Sequence, residues 1–468
     1  MGRTSSLLLA AALLSVFSMP GGIAGAAESD VKETWPRWRG PEANGAQPEA
    51  RPPVQWSESE NVRWKVEVPG QGSSTPIVVG DRVFVSTAVK TDRVKEGASE
   101  AESTAEQDDQ SQPAGDRPGR GGRGRFGRRG FGGGAPPTNF FAFMVVAFDR
   151  QSGKEVWRKT LTEEVPHEPG HNTNTFASSS PVYDGQRLYV SFGSRGVYAL
   201  DLDGNVLWQK DLGKMQTRAQ FGEGSSPAVH DGTVVVPWDH EGESFIVALG
   251  AADGQERWRQ SRDEPTTWAT PLITEFQGRT QVITNGDNRV RSYDLADGSL
   301  IWECGGQASN PIPSPIRYKD NVIVMTGYRG YAIYSIPLDS KGDLTDTDQV
   351  SWVETDAAPY VSSPLLYDGQ LYFVKSNNGI LVSRSAETGE LLIDQTRLPG
   401  ISSVYASPVA AGDHIYLTGR DGTTLVFKHG KTFELVATNR LDEEIDASAA
   451  IVGKQIFFRG KEHLYCIE

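Results

Sequence analysis

Between Ser178 and Gly213 apolar and polar positions alternate in four short runs, Pro181–Tyr183, Leu188–Val190, Val197–Leu200 and Val206–Trp208. Asp184-Gly185 and Asp203-Gly204 separate the first pair and the last pair, and Gly193 to Gly196 separates the middle two. Asp-Gly between alternating runs signals a tight hairpin, because two-residue turns of the favoured hand need positive φ. Four antiparallel strands follow, in a sheet too apolar on both faces to stand alone.

The same pattern recurs along the chain. A Ser-Pro, Thr-Pro or equivalent step opens it at Pro76, Pro181, Pro227, Pro271, Pro315, Pro364 and Pro408, with a degenerate copy at Ser448-Ala449-Ala450. Subtraction gives spacings of 105, 46, 44, 44, 49 and 44. A period in the forties with four strands per unit predicts a β-propeller. The expected fold is therefore all-β, an eight-bladed β-propeller of four-stranded antiparallel blades. Val62 to Val68 alternates like a fourth strand without a preceding three, while three strands near the C-terminus lack a fourth. This N-terminal strand is expected to close the last blade, leaving no open edge.

Around this ring the sequence divides into four parts. Residues 1–27, with Arg3 and the apolar run Leu7 to Phe17, read as a signal peptide. Residues 28–60, rich in Pro, Gly and Trp, read as an extended arm lying across the propeller, which occupies 61–468. Within the first blade, 91–139 reads as a disordered low-complexity insert with an acidic half and an Arg/Gly half. With 46 basic and 60 acidic residues the formal charge is −14, which argues against a nucleic-acid partner. No second apolar segment suggests a membrane span. An exported, soluble, periplasmic or otherwise extracytoplasmic monomer is expected. The run contains no cysteine for a lipid anchor, so a lipoprotein is not. Cys304 and Cys466 fall in different units, too far apart for a disulfide, and are expected to be buried and unpaired.

A tryptophan occupies one fixed place near the end of most units: Trp64, Trp157, Trp208, Trp258, Trp302 and Trp352. Its large apolar area and single N–H suit a structural girdle that docks each blade on the next. The candidate binding residues lie elsewhere. In a four-stranded blade the loops between strands two and three and the crossings to the next blade share one end. They bring to that axial face His171, Asn172, Arg218, Trp238, Asp239, His240, Trp268, Arg289, Tyr328, Arg329, Tyr360, Lys375, Asn377, Tyr405, Arg420, Asp421 and Arg459. Forked guanidinium donors beside flat aromatic walls suit a polar or anionic ligand, a glycan or an acidic protein surface. His167-Glu168-Pro169-Gly170-His171 has the letters of a zinc helix, but Pro169 and Gly170 break the helix such a site needs. Neither a metal site nor a catalytic set is assigned.

The runs Ala147-x-Asp149…Gly153…Trp157, Ala199-x-Asp201…Gly204…Trp208 and Tyr293-Asp294…Gly298…Trp302 resemble the tryptophan-docking repeat of the pyrroloquinoline-quinone (PQQ) propellers. That family includes quinoprotein alcohol dehydrogenases and BamB-like proteins. The resemblance covers almost the whole chain and implies an eight-bladed ring. Its functional implication divides. One expectation is an exported, non-catalytic binding or scaffolding module serving cell-envelope assembly, as for BamB-like proteins, with no cofactor. The alternative is a quinoprotein alcohol or sugar dehydrogenase using PQQ and Ca²⁺. The adjacent cysteines and the haem-attachment Cys-x-x-Cys-His of such enzymes are missing from this sequence.

Overall fold

Residues 1–2, 34–97 and 134–468 are described by the computed structural model. The expected signal peptide and most of the low-complexity insert lie outside them. The repeat folds as eight four-stranded antiparallel sheets around a common axis, their inner strands starting at Ile77, Val182, Ala228, Leu272, Ile316, Leu365, Val409 and Ala450. Blades are numbered 1 to 8 in that order. Val62–Glu67 is the outer strand of blade 8, running antiparallel to His463–Ile467 with Trp64 opposite Cys466.

The repeated hydroxyl before proline makes the innermost joint between blades. A residue preceding proline is held extended, so its N–H and side chain point sideways along the ring. The N–H of Thr75 donates to Ser180 Oγ (3.0 Å), that of Ser180 to Ser226 Oγ (2.9 Å), and that of Ser226 to Thr270 Oγ1 (3.1 Å). The series resumes with Ser314 to Ser363 (3.0 Å), Ser363 to Ser407 (2.9 Å) and Ser407 to Ser448 (2.9 Å). At blade 5 the Ser314 hydroxyl accepts the indole N–H of Trp38 instead (3.0 Å). Thr75 Oγ1, at the seam where the ring closes, is buried without a partner among the described residues.

Tryptophan makes the outer joint. Trp64, Trp157, Trp208 and Trp258 each donate from Nε1 to a backbone carbonyl of the next blade, at Arg150, Leu202, Ala251 and Leu295, over 2.8–3.0 Å. Each indole lies flat on a turn glycine of that blade. At Gly153, Gly254 and Gly298 φ is about +70°, and a Cβ would fall 2.6–2.7 Å from the ring, so only glycine satisfies both the turn and the contact. Trp352 packs likewise on Gly389. Trp302 departs: it is fully buried, and its N–H reaches Gln281 of its own blade (3.3 Å). In blade 7, Ala437 stands opposite Val426 where Ala199 faces Trp208 in blade 2. Trp56 from the N-terminal arm fills that gap, stacked on Tyr416 (6.2 Å) and tilted against Phe458 (5.6 Å).

The rest of the arm corrects the expectation that it lies across the propeller. It enters the central channel. Thr34–Trp35 pairs with Val78–Val79, on the inner strand of blade 1, and Ala46–Gln47 runs parallel to Ala410–Ala411 of blade 7. Between them the chain is tied to blade 2 by Tyr183 N–H to Pro36 O (2.8 Å) and to blade 6 by Leu366 N–H to Asn44 O (3.1 Å). The buried Arg39 guanidinium donates to the carbonyls of Pro364 (3.0 Å) and Pro408 (2.8 Å). Residues 34–47 thus plug the channel, and the Pro and Gly that forbid a regular element allow the tight path.

Blade 1 is also longer than expected. Its second and third strands, Arg82–Val94 and Asn139–Asp149, continue as a ribbon beyond the loop end of the other blades. Residues 91–94 and 139, assigned above to the disordered insert, are therefore strand. Cys304 and Cys466 are buried and unpaired.

Removing one acceptor of the inner joint, Ser226→Ala, strands the buried Ser180 N–H and should cost about 1–3 kcal/mol. Trp208→Ala should cost about 3–5 kcal/mol. The exposed neighbour Leu207→Ala should stay within about 0.5 kcal/mol. Urea unfolding checks all three, and similar losses at Trp208 and Leu207 would refute the docking role.

Candidate functional site: the axial face

The strand order places the crossings between blades and the loops between second and third strands at one end of the ring. Several of the sequence-selected residues meet there across blade boundaries. Tyr328 of blade 5 stacks on Tyr360 of the crossing to blade 6 (4.8 Å between ring centres). Arg329, exposed, lies over Tyr328 (5.2 Å). Lys375 of blade 6 lies over Tyr331 (5.2 Å), and Arg420 of blade 7 over Tyr405 (4.2 Å). Arg420 is held by a two-pronged pair with Asp446 (2.6 and 3.0 Å). Opposite, the crossing from blade 1 brings His171, whose Nδ1 is 2.8 Å from Thr173 Oγ1, and the Thr173 hydroxyl donates to Tyr405 (3.4 Å). Asn172 beside it is exposed. Arg218 bonds Asn310 and Asp287 and pairs with Glu241 (3.5 Å), linking blades 2, 3, 4 and 5.

The remaining candidates serve the frame. Trp238 is buried and stacks on Phe245 (5.8 Å). Asp239 takes the Arg262 guanidinium with both oxygens (2.7 and 3.0 Å) in a pair that is almost wholly buried. Burial opposes the charge on Arg262, yet Asp239, with Tyr293 and Glu264, outweighs it and holds the guanidinium protonated. His240 accepts the Gln216 N–H (3.1 Å) and the Gly242 N–H (3.2 Å). Trp268 donates to Gly222 O (2.7 Å), and Asn377 Oδ1 accepts the Val361 N–H (3.0 Å). Arg289 turns outward to Asp343 (2.9 Å) on the edge of blade 4, and Asp421 caps the Thr423 N–H (3.2 Å). Arg459 is a further correction. Its guanidinium is buried and makes no hydrogen bond among the described residues, and burial lowers its pKa to about 10 against the pull of Glu443.

The reason for these misplacements is orientation. Sequence position fixes which end of a strand a loop occupies, but not whether its side chain points to the axis or folds back into the seam. Asn310, Asp287 and Asp446 were legible only as loop residues; their part is to hold Arg218 and Arg420. The buried partner Arg262 lies on an outer strand, where nothing in the repeat singles it out.

Among the described residues no group of three or more His, Cys, Asp or Glu side chains is disposed to hold a metal. The axis beneath is filled by the plug as far as Trp38 at the hydroxyl joint. The plug thus occupies the axis where the alternative reading would seat PQQ and Ca²⁺.

Burial first, and then the Arg420 charge, hold the His171 imidazole below its ordinary value of 6.5. The ring is therefore neutral at neutral pH and gains its proton only as the pH falls below that value. Arg420→Ala should move the His171 titration, followed by NMR, back up towards 6.5. An unmoved midpoint would show that the two sides of the face do not meet. Asp239→Ala should leave that titration unchanged and cost about 3–5 kcal/mol of stability by isolating a buried arginine.

Comparison with known proteins agrees with this geometry. The family model described as outer membrane protein assembly factor BamB matches residues 195–432, just over half of the chain. BamB of Yersinia pestis is 26% identical over 249 residues, 52% of this chain and 59% of that protein. BamB of Alkalilimnicola ehrlichii is 25% identical over 211 residues, 44% of this chain and 50% of its own. The chain thus spans between half and three fifths of the curated relatives it matches. Among solved structures, quinohemoprotein alcohol dehydrogenase from Comamonas testosteroni superposes with a TM-score of 0.63 at 10% identity, covering 94% of this chain and 81% of that one. BamB from Moraxella catarrhalis gives 0.51 at 13% identity, covering 70% of this chain and 94% of that one. At such identities both likenesses show the fold alone. The docking repeats, the eight blades and the family match together make this chain a member of the PQQ-like β-propeller family whose model is described as outer membrane protein assembly factor BamB.

Proposed function

We propose that this chain is an exported, non-catalytic binding propeller that serves outer-membrane protein assembly and holds its partner on the axial face. The observation that carries the reading is the family match through residues 195–432, with relatives named as outer membrane assembly factors. The choice of face is supported by three cation-over-tyrosine pairs on blades 5, 6 and 7, at Arg329, Lys375 and Arg420. Arg420 is neutralised by Asp446, but among the described residues Arg329 and Lys375 have no carboxylate partner in a chain of net charge −14. A cation over an aromatic face keeps its alkyl stem dry, and the exposed Arg329 holds its donors free for a partner. Such a surface suits carboxylate-bearing side chains of a protein partner. Among the described residues no helix is long and apolar enough to cross a membrane.

The test is co-purification of the full chain with the outer-membrane assembly machinery of its own envelope. Wild type should retain an assembly component, and the double variant Arg329→Ala/Lys375→Ala should lose at least about tenfold in affinity with its melting temperature unchanged. Asp253→Ala, on the opposite face, should behave as wild type. Retention by the double variant would reject the face, and failure of wild type to retain any assembly component would reject the role. Loading with PQQ and Ca²⁺ should give no alcohol- or sugar-dependent dye reduction; turnover would overturn the non-catalytic reading.

A further inference from the structure

At the opposite end of the ring, where the plug enters, a cavity of about 270 Å³ opens between the first hairpins of blades 2 and 3. Its wall comes from three separate parts of the chain: Arg37 of the plug, Asp184, Gln186 and Arg187 of blade 2, and His230 and Asp231 of blade 3. Neither the axial face nor the family repeat accounts for this grouping.

The hydrogen-bonding capacity of the wall is lopsided. Asp184 is spent, taking the N–H groups of Gln186 (2.8 Å) and Arg187 (2.7 Å) and the Tyr189 hydroxyl (2.6 Å). Asp231 sits exposed at the rim. Arg187 gives one N–H to Gln186 (3.2 Å) and also reaches the Tyr189 hydroxyl, leaving further N–H groups for the cavity. The Arg37 Nε is fully buried and has no partner among the described residues, and the His230 ring is equally unengaged there. A guanidinium nitrogen withdrawn from water without an acceptor is costly, and a bound oxygen would relieve it. Glu42, on the plug itself, answers Arg37 only at a distance, and burial leaves the guanidinium below its ordinary pKa.

We propose that Arg37, Arg187 and His230 form a binding site for a small oxyanion, a phosphate or a short dicarboxylate. Two planar guanidiniums offer forked donors that match the oxygen spacing of either group. The volume holds such an anion with a few waters, since each water takes about 30 Å³, and is below the size of most organic-ligand pockets. The plug closes the channel above it, so the anion enters from this end only. Bound there, it clamps the plug to two blades at once.

Calorimetric titration of the full chain, with inorganic phosphate and separately with succinate, tests the site at millimolar concentration. Saturable single-site binding of at least one is expected, and the arm that saturates identifies the oxyanion. Arg37→Gln and Arg187→Gln should each weaken it at least about tenfold. Arg187 lies on a surface hairpin, so its variant gives an answer independent of plug folding. Arg329→Ala should bind the anion as wild type does, which separates this site from the axial face. No saturable binding of either anion, or equal binding by the Arg187→Gln protein, would overturn the proposal.

Discussion

The N–H of every pre-proline serine or threonine except Thr270 ends on the hydroxyl of its counterpart in the next blade, as from Ser180 to Ser226 and from Ser363 to Ser407. One residue thereby supplies both halves of the joint, its amide to the blade ahead and its oxygen to the blade behind. Proline removes the next amide and fixes the local extension, so the pair cannot drift into an ordinary strand ladder. Burial makes the joint exacting, since an unmet amide near the axis has no water to turn to. These bonds join neighbouring blades at every seam but those between blades 4 and 5 and between blades 8 and 1. The tryptophans further out press the wedges together on a frame already spaced.

Much of this frame was legible in the letters. Seven Ser-Pro or similar steps at a period in the forties, with Asp-Gly turns between short apolar runs, specify blade number and strand order. The orphan strand at residues 62–67 and the three strands near the C-terminus specify each other. What the letters could not give is the path of residues 34–47, because a stretch without periodicity carries no register. Trp38 and Arg39 take their places from the carbonyls and hydroxyl they find in the channel.

At the axial face the candidate residues divide, and the division has a physical basis. Tyr328, Arg329, Tyr360, Tyr405 and Arg420 converge because each sits at a loop tip on the axial side of its blade. Trp238, Asp239 and His240 share a loop of the same class, yet the hairpin of blade 3 turns them inward. There Arg262, from the fourth strand of the same blade, claims the carboxylate. A loop residue with a buried partner of opposite charge belongs to the frame, and that partner is visible only in three dimensions. The fold supports both binding proteins and enzymes, so the case for function rests on such particulars.

The strand at Val62–Glu67 follows the plug directly and is hydrogen-bonded to the last strand of the chain. Its lasting neighbour is a strand about four hundred residues further along the chain. The plug has its partners in blades 1, 2, 6 and 7, whereas this outer strand has only His463–Ile467 to pair with. Large sequence separation between pairing strands slows folding, and among the described residues no strand pair is more widely separated than this one.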